Sequence, residues 1–394
     1  MVRAHVEGAG VLHGRLDRAR WHPAYDRRQH ARLRARRDAH LAGLAVAGRE
    51  AIEPACDLLR AFGGHEELFV CATLALALDD DALLDVVEAH AASTPAVARA
   101  ATCALLTAAP ASAARVAQRW QRGGVAVLRR AALSADLVRR GSGAAPHAAY
   151  AARDDDALVR ARAWRALAEL GQAAASRARV PLPSPADAAS DDEWAALTAA
   201  LAMTSRRSEC VESSSALHRV PADERPRLLV LTATLLQADA LLALAASLAR
   251  DPVLAPYAPL LLASGGHAAH LAVLLDWLES SRVGPAAGYA IAHLLGIDAA
   301  AASLLSAATR IRDDGEDAFG PWDELPPWDV ERTRRFVATH PVANAPRGRW
   351  LRGVAWTSAA ALDTVPDPLA SRFAMQQHRY LVALQHRRPV QPLP

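Results

Sequence analysis

A pattern of apolar residues that returns every 31 residues, between positions 94 and 171, constrains the fold of this chain more than any other feature. Three copies carry apolar side chains at three matched positions, and each copy ends at a helix breaker. The matched positions are Val97, Leu128 and Val159; Ala101, Ala132 and Ala163; and Ala104, Ala135 and Ala166, and the breakers are Pro110, Gly141 and Gly171. Such a period is typical of helical solenoids, where each unit covers its apolar face by stacking on the next. The pattern predicts an all-α solenoid, with an irregular helical bundle as the alternative.

The third copy shows why each copy is expected to be a helix. Asp154–Asp156 precede it and suit the N-cap and the positive end of a helix. Arg162, Arg165 and Glu169 fall on a polar face, and the spacing of Arg165 and Glu169 is that of an i, i+4 ion pair. The other face is an apolar stripe of helical period, Val159, Ala163, Ala166 and Leu170.

The sequence of this copy, DDDALVRARAWRALAELG, resembles a HEAT-like repeat of the short bacterial type. A fainter fourth copy lies upstream, where Leu68, Ala72 and Ala75 precede the first matched positions by 29 residues. The array is therefore expected to begin soon after Gly63 and Gly64.

The composition favours helix and excludes several classes of protein. Apolar residues make up 52% of the chain, which excludes a disordered chain, and abundant alanine favours helix. The formal net charge of +3 is small for 394 residues, which argues against a nucleic-acid partner. Every basic residue is arginine, a bias that a GC-rich genome explains.

The cysteines and the apolar runs predict a cytoplasmic protein. The cysteines, whose spacing shows no pairing pattern, are Cys56, Cys71, Cys103 and Cys210. Unpaired cysteines fit a reducing compartment. No signal-peptide core is present, and no apolar run of about 18 residues could cross a membrane. The apolar stretch 254–262 is interrupted by Pro256 and Pro259.

Breakers and shifts in composition divide the chain into five segments. They are an N-terminal helical segment at 1–62 with a loose lead-in at 1–24, a first HEAT-like array at 63–172, a linker at 173–190, a second helical array at 191–312, and an aromatic, proline-rich capping segment at 313–394. The second array is predicted to hold helices at 194–203, 227–236, 238–250, 267–278 and 285–295. Ser190 and Glu193 have the spacing of a capping box, which predicts a helix start.

An arginine cluster lies on the predicted helix that ends at Gly48. Its members are Arg32, Arg34, Arg36 and Arg37, with Asp38 beside them. Leu33, Leu41 and Leu44 share a different face of the same helix. The cluster has two interpretations: a helix that contacts phosphates, or a solvated face with local ion pairs. We favour the second.

Three stretches together resemble a known family. They are ARLRARRDAHLAGLAVAGREAI, LPPWD at Leu325–Asp329, and GRWLRG at Gly348–Gly353 with the terminal QQHRYLVALQ. The resemblance is to HEAT-like repeat proteins encoded beside type VI secretion genes in proteobacteria, and it covers about residues 20–388. Where this chain has Trp350, the family usually has tyrosine. The resemblance implies an accessory role near secretion cargo and no established biochemical activity.

No motif for catalysis or for a cofactor is present. The chain lacks the phosphate-binding loop GxxxxGK[ST], a GxGxxG fingerprint, HExxH and GxSxG. His267 and His270 have i, i+3 spacing, but two imidazoles are not a metal site, so a surface histidine pair is expected. Asp154–Asp156 are expected to cap a helix, and 313–317 to be a solvated acidic loop. We predict neither an enzyme nor a cofactor.

The leading functional hypothesis is a non-enzymatic scaffold that binds another protein. The resemblance implies that this partner is a type VI secretion effector, adaptor or spike component, with the chain as adaptor or chaperone. The candidate interaction or motif residues are Arg32, Arg36, Arg162, Arg165, Trp328, Arg349 and Trp350. The alternative is a HEAT-like nucleic-acid binder or DNA glycosylase that holds a base against Trp120 or Trp164. A third reading, a lyase or chaperone for a cofactor-bearing protein, has no residue to support it.

Overall fold

The computed structural model describes residues 1–22, 25, 27–92, 94–171, 182–205, 214–300, 302–306, 327–344, 348–355 and 380. These residues are mostly helical, which confirms the all-α prediction at the level of fold class. They divide into two compact units. Unit 1 holds residues 1–19 and 29–200, and unit 2 holds the described residues of 20–28 and 201–390. The five-segment division stays a prediction, because residues 172–181 of the linker and most of the capping segment lie outside the described residues.

Unit 1 is a succession of helices joined by short turns. The helices are α1 (Val2–Arg18), α2 (Arg27–Ala47, in this unit from Gln29), α3 (Ile52–Phe62), α4 (His65–Leu78), α5 (Asp81–His90), α6 (Pro95–Thr107), α7 (Pro110–Arg122), α8 (Ala126–Arg140), α9 (Ala145–Ala151), α10 (Ala157–Glu169) and the first part of α11 (Asp191–Ser205).

The three copies of the 31-residue pattern are α6, α8 and α10. All nine matched positions are buried. The helices pack in chain order, α4 on α6, α6 on α8 and α8 on α10, and the faint upstream copy is α4. The breakers fall where they were expected: α6 stops before Pro110, Gly141 is the C-cap of α8, and Gly171 follows α10 with a positive φ of 87°.

A second helix follows each of the first three helices in this row, and the sequence analysis did not predict it. These helices are α5, α7 and α9. In α7 the buried residues Ala113, Val116 and Trp120 have helical spacing, and Pro110 occupies the first turn, where a missing amide costs nothing. Pro110 is therefore both the end of one copy and the start of the next helix.

The loose lead-in expected at residues 1–24 was wrong, because residues 2–18 form α1. Its glycines look like breakers in the sequence, but they allow close packing instead. A β-carbon on Gly14 would lie 1.6 Å from Oε1 of Glu66, and one on Gly10 would lie 3.5 Å from the backbone oxygen of Glu66. The two glycines thus bring α1 against α4.

The predicted caps are present. Oδ1 of Asp156 accepts hydrogen bonds from the amides of Leu158 and Val159 at the start of α10. At α11, Oγ of Ser190 accepts from the amide of Glu193 at 3.1 Å. The Glu193 carboxylate returns to the amide of Ala189 rather than to that of Ser190. Each cap satisfies amides that lack an intrahelical partner.

Unit 2 is helical with one small hairpin. Its elements are the last part of α11, α12 (Ser214–Arg219), α13 (Arg225–Leu235), α14 (Ala238–Arg250), α15 (Tyr257–Gly265), α16 (Leu271–Trp277), α17 (Gly284–Leu295), α18 (Val330–Thr339), β1 (Trp350–Leu351) and β2 (Val354–Ala355). Helix α15 packs on α13 and α14, α17 packs on α15 and α16, and β1 lies on α17. The strands pair antiparallel, Trp350 with Ala355 and Leu351 with Val354.

Helix α15 lies where the sequence suggested an interrupted apolar stretch. Pro256 precedes the helix and Pro259 lies in its first turn, where backbone amides have no intrahelical acceptor. All nine of its residues are buried, so it has no polar stripe from which a helical period could be read. The predicted segment 267–278 also differs, since it is a 3₁₀ turn, Ala268–His270, followed by α16.

Candidate interaction surface

Helix α2 carries the arginine cluster, and its two faces differ sharply. The inner face is buried or half-buried, at Leu33, Arg37, His40, Leu41 and Leu44. These positions follow the helical period, so the predicted apolar face is confirmed. Arg37 belongs to this inner face rather than to the exposed cluster.

Two inner-face side chains tie α2 to the rest of unit 1. The guanidinium carbon of Arg37 lies 5.3 Å from the ring centre of Phe69 on α4, a cation–π contact. Nδ1 of His40 lies 3.2 Å from Nδ1 of His5 on α1. The imidazoles pack against Gly8 and Gly43, where an added β-carbon would lie within 3 Å of a ring. Helix α2 is thus held on α1 and α4.

Opposite this inner face is the outward face of α2, which we define by Arg32, Ala35, Arg36, Ala39, Ala42 and Val46. All six side chains are exposed. Neither Arg32 nor Arg36 makes a hydrogen bond or an ion pair with a described residue, and neither does Arg34 on the flank. The lone carboxylate between residues 27 and 49 is Asp38, and Arg37 binds it through Nε and Nη2 at 2.9 and 2.7 Å. The local ion pairs expected for these three arginines are absent from the described residues.

Other arginines of unit 1 are neutralised by carboxylates of neighbouring helices. On α7, Arg119 binds Glu88 of α5 through Nε at 2.7 Å and Asp85 through Nη2 at 2.5 Å. Arg115 binds Asp81 at 2.8 Å and also Asp79. Hydrogen bonds from Glu88 and Asp85 raise the pKa of Arg119, and Arg115 lowers that of Asp81. This network joins α5 to α7 and leaves little free charge there.

Two arginines at the 31-residue spacing join successive repeats. Arg129 of α8 donates to both carboxylate oxygens of Asp154, each at 2.8 Å. Arg160 of α10 donates to both oxygens of Glu193 at 2.7 and 3.0 Å. Bidentate pairs of this kind are the stronger class of ion pair, and the acidic partner raises the pKa of each arginine. Asp154 therefore has a structural partner.

The candidates Arg162 and Arg165 are used within unit 1. Nε of Arg162 donates to Oγ of Ser134 on α8 at 3.0 Å, and its Nη1 lies 3.7 Å from Oε2 of Glu169. Arg165 is buried on α10. The acidic neighbour of Arg162 is thus Glu169, seven residues on, which the i, i+4 pattern assigned to Arg165. A role in binding for either arginine stays a prediction.

The two tryptophans of the glycosylase alternative are not available to a base. Trp120 and Trp164 are both buried. Nε1 of Trp120 donates to Oε1 of Glu88 at 3.1 Å, the same oxygen that accepts from Nε of Arg119. These rings are core residues of unit 1, so the structure removes the stacking platform that the alternative required.

Among the described histidines, His13 of α1 has the most perturbed surroundings. It is buried and stacks on Phe69, with ring centres 4.0 Å apart and 7° between the planes. Neither ring nitrogen has a hydrogen-bond partner among the described residues. Burial lowers the pKa of His13 to about 3, outweighing the attraction of nearby Asp17. A neutral, unpartnered ring of this kind is a packing residue at neutral pH.

In unit 2, the GRWLRG motif covers the C-terminal ends of three helices. Arg349 donates from Nη1 to the backbone oxygen of Thr234 at 2.9 Å, and from Nη2 to that of Leu236, at the end of α13. The amide of Trp350 donates to Gly266 O at 2.6 Å after α15, and that of Gly353 to Leu294 O at 2.9 Å in α17. These carbonyls lack intrahelical partners, so the motif supplies the missing donors.

Two glycines make this close approach possible. Gly266 and Gly296 each follow a helix with φ of 73°, a conformation that favours glycine. A β-carbon on Gly266 would lie 2.5 Å from Trp350 O, and one on Gly296 would lie 2.2 Å from Arg352 O. The side chains of Arg349 and Trp350 are both half-buried. The hairpin and the helix ends are thus built for each other.

Trp328 of the LPPWD motif is also a packing residue. It is buried, with its ring directly over Gly288 of α17, where a β-carbon would lie 2.2 Å from the indole, and edge-on to Tyr289 at 5.4 Å. Asp329 then caps α18 by accepting from the amide of Arg332 at 2.9 Å. The motif therefore places α18 against α17, and any role of Trp328 in binding stays a prediction.

The surface histidine pair expected at His267 and His270 was wrong. His270 is buried, and its Nε2 lies 3.1 Å from the backbone oxygen of Ala238. His267 is half-buried and pairs through its backbone with Arg349. Burial, aided by Arg349, lowers the pKa of His267 to about 4. Over the described ranges, no three His, Cys, Asp or Glu side chains are grouped to hold a metal ion.

Comparison of the chain with protein-family models, with curated proteins and with solved structures finds no match. The resemblance to HEAT-like proteins of type VI secretion loci therefore stays a prediction. In the part of the chain that the structure describes, none of the helices is both long enough and apolar enough to cross a bilayer. The surface with uncompensated charge in unit 1 is the outward face of α2.

Proposed function

We propose that this chain is a non-enzymatic scaffold that binds another protein, and that unit 1 is a HEAT-like solenoid. The observation that carries the proposal is the row of α4, α6, α8 and α10. Each helix packs on the next, and all matched positions of the pattern are buried. A row in which each helix is covered by its neighbours leaves long outer surfaces free for a partner.

The ion pairs between repeats support the solenoid part of the proposal. Arg129 and Arg160 are 31 residues apart, and each binds a carboxylate that begins or precedes the next helix of the row. A side-chain contact that recurs with the apolar period indicates repeated units rather than an irregular bundle. The i, i+31 pairs and the matched alanines thus point to the same architecture.

The hairpin and the LPPWD motif support the proposed aromatic cap in unit 2. A terminal unit of a helical array has a face and helix ends that no further repeat covers. Trp328 packs on α17, and Arg349 and Trp350 satisfy carbonyls of α13 and α15. We infer that these segments close the row α13, α15 and α17 in place of another repeat.

The proposed partner is a protein of a type VI secretion system, namely an effector, its adaptor or a spike component. The motifs behind this proposal are the α2 stretch, LPPWD and GRWLRG, and each has a defined structural place in the chain. The proposed role is that of a cytoplasmic adaptor or chaperone. The glycosylase alternative is weaker, because Trp120 and Trp164 are buried.

Co-purification tests this proposal. The tagged chain is expressed in its own host at native level, and proteins retained after a stringent wash are identified by mass spectrometry. We expect enrichment of a protein encoded beside this chain over the same purification with an unrelated tagged helical protein. Enrichment of neither an effector, an adaptor nor a spike component contradicts the secretion role.

A further inference from the structure

We propose that the outward face of α2 is the docking site for an acidic amphipathic helix of the partner protein. This inference rests on the scaffold function proposed above, and it names the surface and the chemistry of the partner. The face runs from Arg32 to Val46, which is about 22 Å along the helix axis.

The first argument is uncompensated charge. Arg32, Arg34 and Arg36 lie within five residues, are exposed, and have no carboxylate partner among the described residues. By contrast, Arg119 and Arg129 of the same unit bind carboxylates of adjacent elements. A face that keeps its positive charge in the folded unit favours a carboxylate-bearing partner, because opposite charges steer and orient association.

The second argument is the apolar half of the same face. Ala35, Ala39, Ala42 and Val46 have the spacing i, i+4, i+7 and i+11, and all are exposed, Val46 at 90%. That spacing matches one side of a helix, and alanine allows a second helix to approach closely. Because the inner face of α2 is already packed at Leu33 and Leu44, this second stripe has no role in the core.

The third argument is that α2 is held in place before any partner binds. His40 contacts His5 on α1, and Arg37 lies over Phe69 on α4. A preformed helix face loses little conformational freedom on association, which favours binding.

These features favour a protein over nucleic acid. Phosphates would use the arginines but gain nothing from the apolar half at Ala39, Ala42 and Val46. A partner helix with carboxylates in one half and small apolar residues in the other would use the whole face. The arginines end at Arg37 within α2, and residues 39–47 contain no charged side chain, so a phosphate backbone would find cations along only half of the helix.

The test uses the full chain and a synthetic probe. The probe is a 20-residue, end-blocked, fluorescein-labelled helical peptide with glutamates at i, i+4 spacing in one half and alanine and leucine in the other. Fluorescence anisotropy should show saturable binding that weakens as NaCl is raised. A peptide of the same composition in scrambled order, which has no amphipathic stripe, should bind at least several-fold more weakly.

Variants locate the site. Arg32→Glu with Arg36→Glu should weaken binding of the glutamate peptide by about tenfold or more, because two attractions become repulsions. The same double variant should bind a peptide in which lysine replaces each glutamate better than the unmodified chain does. Arg122→Glu with Arg153→Glu makes the same change in charge at two other exposed sites and should bind like the unmodified chain. Val46→Asp tests the apolar half and should also weaken binding.

Three results would overturn the proposal. They are no saturable binding of the glutamate peptide, equal loss in the control double variant, or tighter binding to a 15-base-pair DNA duplex that depends on Arg32 and Arg36. Unchanged melting temperatures in all variants ensure that each loss reports on the surface.

The same variants separate this inference from the scaffold function. If a secretion protein co-purifies equally with the unmodified chain and with Arg32→Glu, Arg36→Glu, the scaffold stands and the α2 surface is wrong. If the peptide binds as expected but no neighbour-encoded protein co-purifies, the α2 surface stands and the secretion role fails.

Discussion

Nη1 of Arg349 donates a hydrogen bond to the backbone oxygen of Thr234 at 2.9 Å, although 115 residues separate them in the chain. Thr234 lies in the last turn of α13, whose carbonyls have no acceptor role within the helix. Arg349 is half-buried, and burial lowers its pKa from the ordinary value, so its charge is held in place by these oxygens. The hairpin therefore depends on α13 as much as on its own strands.

Arg349→Ala is expected to destabilise unit 2 by about 3 kcal/mol, because two buried carbonyls lose a charged donor. Arg349→Lys should recover part of this loss, since an ammonium cannot bind both oxygens with the fork of a guanidinium. Urea denaturation monitored by circular dichroism measures both. Arg282→Ala, an exposed arginine of the same unit, is the matched control and should change stability little.

Ala132→Trp tests the row of helices in unit 1. Ala132 is fully buried on α8, between α6 and α10, so an indole there must push two helices apart. We expect a loss of about 3 kcal/mol or failure to fold. Ala114→Trp on the exposed side of α7 introduces the same ring without such contact. Equal melting temperatures for the two variants would contradict the stacking of α6, α8 and α10.

Acid should destabilise unit 1 through His13. Its pKa is about 3 in the folded chain and near 6.5 when unfolded, so the neutral ring stabilises the fold above pH 6.5. That contribution is lost as the pH falls from 6.5 towards 3, and about 2 kcal/mol should be gone at pH 5. Asp17, Arg37, His65 and Arg99 surround the ring, and burial outweighs them.

Replacing the ring with an apolar side chain isolates this effect. His13→Leu keeps an uncharged group beside Phe69 and abandons no hydrogen bond among the described residues. Urea denaturation at pH 7.5 and pH 5 should show a smaller loss of stability on acidification in His13→Leu than in the unmodified chain. An equal loss in both proteins would show that His13 does not carry the acid sensitivity.

Gly288 and Trp328 should be energetically coupled. Gly288→Ala places a methyl group against the indole of Trp328 and is expected to cost about 2 kcal/mol. In the background of Trp328→Leu, which removes the rigid ring, the same glycine substitution should cost much less. A double-mutant cycle in urea measures the coupling, and additive effects would contradict the packing of the LPPWD motif on α17.

The sequence predicted the elements that repeat or that begin with a recognisable cap. The matched alanines located α6, α8 and α10, and Asp156 and Ser190 located the starts of α10 and α11. Local signals of this kind depend only on neighbouring residues and on period. They do not depend on what packs against the helix.

The errors arose where tertiary contacts decide the outcome. Gly10 and Gly14 suggested a loop but allow α1 to approach Glu66. Pro259 suggested a break but lies in the first turn of α15. His270 suggested a surface because nothing in the sequence shows that Ala238 O faces it. Each of these depends on a residue distant in the chain or on a buried environment.

The candidate site was predictable only in part. The arginine cluster was visible, but its interpretation depended on which arginines are paired. Arg37 turned out to face Phe69 and to bind Asp38, which leaves Arg32 and Arg36 without that carboxylate. The exposed stripe at Ala39, Ala42 and Val46 has the same period as a core stripe, so the sequence did not show which of the two faces outward.

The most direct test of the account is quantitative co-purification from the native host with three forms of the tagged chain. The forms are the unmodified chain, Arg32→Glu with Arg36→Glu, and the charge-matched control Arg122→Glu with Arg153→Glu. The account predicts that a neighbour-encoded secretion protein is recovered with the unmodified chain and with the control, and is reduced about tenfold with the α2 variant. Equal recovery with all three forms, or recovery of no such protein, would contradict it.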